Sequence, residues 1–129
     1  MDYLLTSCLG RGEVKTLNPT LEMIEQIIDN LLPVQNYFMI LKSEKPVQNC
    51  SFVQTLIPEE DDTTEILFLV EANFRHKGDK IFRMFTTDSA KVKGIFVQYL
   101  SGIMPDVTGW EDVTEKVFPK KRSRNKKST

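Results

Sequence analysis

The sequence predicts an α+β fold: a mostly antiparallel four- to five-stranded sheet with two amphipathic helices packed on one face. Three observations carry this expectation. Apolar residues recur at helical spacing over 19–32 and again from about residue 88 to 103. Between them, 36–87 switches to short apolar and β-branched runs bounded by turn residues. The overall balance, 40% hydrophobic and 27% charged in 129 residues, is that of an ordinary soluble domain.

The first helix is announced by Asn18-Pro19. Asparagine can accept a bond from a free N–H of the first turn, and proline lacks an N–H that would go unbonded there. Leu21, Ile24, Ile27, Ile28 and Leu31 then form one apolar stripe with Glu22, Glu25, Gln26 and Asp29 between them, and Pro33 ends the run. The expected helix spans 19–32. Upstream, Gly10 and Gly12 in CLGRGEVK lack the GK[ST] ending and the adjoining helix of a phosphate loop, and read as a turn before that helix.

In the middle segment NYFMILKS reads as a strand, SEKPVQN as a turn, CSFVQTLI as a second strand and PEEDDTT as an acidic connection. EILFLVEANF and KIFRMFTT follow, separated by RHKGDK, whose Gly78 and Asp79 suit a hairpin turn. Short connections favour a meander. Apolar residues on both parities of EILFLVE predict a strand covered on both faces, or by helices on one face and a partner on the other.

The second helix is capped by Thr87 or Asp88, with Val92, Ile95, Phe96, Tyr99, Leu100 and Ile103 on one stripe and Gly102 at its end. WEDVTEKVF then reads as a final short strand or a helical turn, with Val113 and Val117 inward. The chain divides into a single α+β domain, 1–118, and a disordered basic tail, 119–129.

The net charge of −1 conceals an asymmetry. Pro119 to Thr129 carries six basic and no acidic side chains, so residues 1–118 hold 11 basic against 18 acidic, a net of −7. No run approaches the roughly 18 apolar residues of a membrane span, and MDYLLTSCLGRGE lacks the flanks of a signal peptide, so a cytoplasmic protein without membrane contact is expected. Cys8 and Cys50 stand in no metal-ligand spacing and are expected to be reduced thiols, packed or half-exposed. No cofactor or metal is expected.

Catalytic candidates are few. His76 is the only histidine and falls at the RHKGDK hairpin tip, among charges that keep it solvated and away from any pocket. No catalytic residue is assigned, and the chain is expected not to be an enzyme. The candidate partner-binding residues are Glu59, Glu60, Asp61 and Asp62, together with Trp110, Glu111 and Asp112. A block of like charges is ordinarily a solvated loop, but as a surface it attracts a basic partner. Trp110 either plugs the end of the domain over the second helix or anchors a partner within an acidic rim.

NPTLEMIEQIIDNL, the sheet strands, KIFRMFTTDSAKVKGIFVQYL and GWEDVT together are similar to small immunity proteins encoded beside bacterial polymorphic or contact-dependent toxins. The likeness rests on Asn18-Pro19-Thr20, on Thr86-Thr87-Asp88 and on Trp110-Glu111-Asp112, and covers roughly residues 16–115. It implies a non-enzymatic, cytosolic protein-binding module that neutralises a cognate toxin, and the partner it implies is a basic toxin domain. The alternatives are a homodimer or larger homo-oligomer, structural or regulatory, whose sheet face, rich in Phe68, Val70, Phe82 and Met84, is covered by a second copy, and nucleic-acid binding confined to the basic tail.

Overall fold

The computed structural model describes residues 2–58, 66–75 and 77–117. Its seven strands, β1 (Tyr3–Leu9), β2 (Glu13–Leu17), β3 (Tyr37–Val47), β4 (Cys50–Leu56), β5 (Phe68–Arg75), β6 (Asp79–Thr86) and β7 (Glu111–Asp112), form one open sheet in the order β2-β1-β3-β4-β5-β6-β7. Every neighbouring pair is antiparallel. Helix α1 (Leu21–Asp29) carries the chain from β2 over to β3, α2 (Ser89–Leu100) follows β6, and α3 (Thr114–Val117) is a single turn after β7.

The meander expected over 36–87 is β3 to β6. The four to five strands expected become seven because the N-terminal segment, read as a turn, is a hairpin, and because Glu111–Asp112 adds an edge. In β1, side chains of both parities are largely covered, so no polar alternation marks the strand. β2 is almost wholly exposed and buries no apolar face that could announce it. Gly10 turns the chain between them at φ +87°, where a Cβ would also meet the Tyr37 ring at 3.0 Å.

SEKPV proves to be the second half of β3, and the turn is only Gln48-Asn49. Both have positive φ (48° and 75°), and they lie between the paired Val47 and Cys50, which is the geometry of a type I′ hairpin.

Helix α1 is shorter at both ends than the periodicity suggested. Thr20, not Asn18, caps it, with Oγ1 accepting from Met23 N at 3.2 Å. Asn18 instead closes the hairpin: its N–H donates to Tyr3 O (2.7 Å) and its Oδ1 accepts from Tyr3 N (2.9 Å). Asp88 caps α2 through Ala90 N and Lys91 N, as expected. Beyond its C-cap Ser101, Ile103 is exposed rather than an anchor. WEDVTEKVF supplies both alternatives, a two-residue strand and a helical turn; Val113 is buried, while Val117 is exposed.

Both long helices lie on one face of the sheet. Ile24 and Ile28 of α1 and Val92, Phe96 and Tyr99 of α2 share a core with Leu5, Met39, Leu41, Val53, Val70 and Ala72. Fully burying each large side chain contributes roughly 1.5–3 kcal/mol. Lys93 Nζ of α2 bonds Asp29 Oδ1 of α1 at 2.6 Å across the helix pair. Among the described residues, no helix is long and apolar enough to cross a membrane. The tail expected at 119–129, the hairpin histidine His76 and the acidic run Glu59–Asp62 lie outside the described residues.

Candidate protein-binding face

Side chains alternate between the two faces of a strand and directly paired residues share a face, so the register decides what the sheet shows opposite its helices. One row crosses all seven strands on that outer face: Lys15, Thr6, Ile40, Gln54, Glu71, Arg83 and Glu111. Leu56, Leu69 and Phe85 stand on one side of this row, and Leu4, Lys42, Phe52, Asn73 and Ile81 on the other.

The β4-to-β7 half of the row is polar and internally neutralised. Gln54 Nε2 donates to Glu71 Oε1 at 2.5 Å. Arg83 Nε and Nη2 both donate to Glu71 Oε2, at 2.7 and 2.6 Å. The Glu71 side chain is only 7% exposed, so its charge is tolerable because these donors compensate it. Glu111, opposite Arg83, pairs with Lys116 at 2.9 Å. The hydrogen bond and charge of Lys116, with a smaller contribution from Arg83, hold the Glu111 carboxyl below its ordinary pKa. Charges therefore alternate along the ladder, and a partner could cover it without stranding one of them.

Toward β3 the face becomes an apolar groove of about 480 Å³. Phe38, Ile40, Leu56 and Leu69 supply its apolar floor, Val34–Asn36 and Ile57–Pro58 its walls, and Gln54 joins it to the ladder. Phe85 remains 49% exposed on the same face, and Val34 in the wall 48%. An antiparallel sheet with one solvated face normally turns polar residues outward. Outward Ile40, Phe52, Leu56, Leu69 and Phe85 break that rule, as a contact surface does.

The residues singled out in the sequence distribute unevenly over this arrangement. Glu59–Asp62 begin immediately after Pro58, a groove-wall residue, but are themselves outside the described residues. Trp110 is half-buried against the main core. Glu111 belongs to the outer ladder, about three strand spacings (~14 Å) from Gln54. Asp112 pairs with Phe82 on the opposite face; its Oδ1 accepts from Thr114 N (2.9 Å) and Oγ1 (2.5 Å), and these bonds lower its pKa. Trp110, Glu111 and Asp112 thus do not converge on one spot.

Phe68, Val70, Phe82 and Met84, assigned above to a sheet face open to a second copy, lie on the helix-bearing face. Phe68 and Val70 are buried in the core, and Met84 packs against it. The opposite parity carries the open face. Its signal was present in the sequence, in the apolar residues on both parities of EILFLVE, but only the register identifies which parity the helices cover.

Cys8 and Cys50 are free and buried. Burial pushes the Cys50 thiol up to about 12, with hydrogen bonding to the Phe52 backbone and the Tyr99 side chain opposing, so it is no nucleophile at neutral pH. Among the described residues, no three His, Cys, Asp or Glu side chains are grouped to hold a metal ion. No family profile, curated protein or solved structure matches the chain.

Proposed function

We propose that the chain is a non-enzymatic protein-binding module of the immunity kind, which holds a basic toxin domain against the outer face of its sheet. The observation that supports this reading is the apolar groove over Phe38, Ile40, Leu56 and Leu69, continuous through Gln54 with a ladder whose charges are already paired. Such a face can be desolvated at low cost, and interface cores are of this type, apolar and poor in unpaired charge. The charge of the partner follows from composition. Residues 1–118 carry a net −7, and the chain runs from the groove wall at Pro58 directly into Glu59-Glu60-Asp61-Asp62. An acidic body speeds association with a cationic surface, and domains that act on nucleic acid carry such surfaces.

The test compares the tagged wild-type chain with an Ile40→Asp/Leu69→Asp variant as bait in lysate of the source cells. The expected result is one stoichiometric, basic protein retained by wild type and lost from the variant, which still melts cooperatively, at a somewhat lower temperature. Neutralising Glu59, Glu60, Asp61 and Asp62 together should then slow association with the purified partner at low salt. A partner held equally by both baits, or an acidic partner, overturns the reading. So does a wild-type chain whose outer face is closed by a stable second copy.

A further inference from the structure

We propose that β2 pairs edge to edge with β2 of a second copy, joining two sheets into one continuous sheet through a two-fold axis normal to it. Among the described residues, the strand order leaves β2 with β1 on one side and no strand on the other. Its five residues are almost entirely exposed, with Val14 at 59% and Leu17 at 63%. The opposite edge is different: β7 is two residues long and passes at once into α3. A free strand edge is a template for another strand unless charge, proline or a bulge blocks it. Here the only blocking residues are Glu13 and Lys15, and these have opposite signs.

That pattern selects a register. A two-fold normal to the sheet makes the two β2 strands antiparallel and keeps residues of equal parity opposite one another, so each register is centred on one residue. Centring on Glu13 sets Glu13 against Glu13 and Lys15 against Arg11. Centring on Lys15 sets two lysines together, and centring on Thr16 leaves both charges without a partner. Centring on Val14 pairs Glu13 of each copy with Lys15 of the other and sets Val14 against Val14. Val14 pairs with Ser7 of β1 and lies on the helix side, whereas Glu13 and Lys15 lie on the outer side. Directly opposite charges and paired β-branched residues both stabilise an antiparallel pair.

This dimer places both helix layers on one side and both outer faces on the other. It leaves the groove free and therefore stands independently of the function proposed above.

The experiment is sedimentation equilibrium of the full chain from micromolar to millimolar concentration. Wild type should show a reversible monomer–dimer equilibrium. Lys15→Glu turns both cross-copy pairs repulsive and should weaken association about tenfold. Glu13→Lys/Lys15→Glu exchanges the signs and should restore it. Because these side chains are exposed, thermal melts of the variants should match wild type at concentrations where wild type is monomeric. A wild-type monomer throughout the range overturns the proposal, as does a dimer indifferent to Lys15→Glu or a charge exchange that fails to restore pairing. A dimer abolished by Leu69→Asp but not by Lys15→Glu assigns the second copy to the outer face instead, and likewise overturns it.

Discussion

The phenol of Tyr99 in α2 donates to the backbone carbonyl of Cys50 at 2.8 Å, joining the helix layer to the start of β4 where the β4–β5 register shifts between Cys50 and Phe52. The hydroxyl lies 3.2 Å from Ser43 Oγ, and the ring meets Tyr3 edge to face, with centroids 5.8 Å apart. Tyr99→Phe keeps the ring contact and removes the phenol's hydrogen bond to that carbonyl. We expect a loss of about 1–3 kcal/mol, read as a lower urea midpoint at unchanged m-value. No loss would mean that the carbonyl has another donor in solution.

The same cluster sets an alkaline limit to stability. Burial raises the Tyr99 phenol to about 12 and the Cys50 thiol to about 12 from ordinary values of 10.0 and 9.0. Both groups are neutral when protonated, so the unfolded chain releases these protons first. Their contribution is complete below pH 9 and is lost as pH rises from there toward 12. Stability against urea should fall through that window, and Cys50→Ser/Tyr99→Phe should flatten the fall. A double variant as steep as wild type would assign the alkaline transition to other groups.

Ile40 and Leu41 are neighbours in β3 with opposite surroundings: Leu41 is fully buried under the helices, and Ile40 is half-exposed on the groove floor. Leu41→Ala should cost about 2–5 kcal/mol and Ile40→Ala roughly 1 kcal/mol, because only the first leaves a closed cavity. Chemical denaturation of the two variants separates them. Equal costs that depend on protein concentration would show that a second copy buries the outer face.

Removing one member of the Glu71–Arg83 pair should be worse than removing both. Arg83→Leu leaves a nearly buried carboxylate whose remaining hydrogen-bond donor among the described residues is Gln54, and should cost about 3 kcal/mol. Glu71→Leu/Arg83→Leu replaces the pair with apolar contacts and should recover most of that loss. A double-mutant cycle in urea gives the coupling; purely additive losses would show that the pair is not coupled in solution.

The outer face was partly legible beforehand. EILFLVE is apolar on both parities, which predicts cover on both sides, and its second half opens β5 with Leu69 facing away from the helices. Phe68, Val70, Phe82 and Met84 lie on the helix-bearing face rather than the open one, since a period of two divides a strand into faces without saying which face meets a helix. Glu111 faces outward, whereas strand alternation turns Asp112 to the opposite face and Trp110, just before the strand, packs half-buried against the main core.

What the sequence by itself determined is what local chemistry can encode. The capping oxygen of Asp88 sits at the start of α2, the stripes of α1 and α2 follow the helical repeat, and β3 to β6 succeed one another as antiparallel neighbours. Tertiary structure decided the rest. It put β1 between β2 and β3, recruited the exposed β2 and the two-residue β7, and lined Gln54, Glu71, Arg83 and Glu111 into one ladder. The physical reason is that cross-strand register joins residues far apart in the chain, and no local preference of either partner records the other.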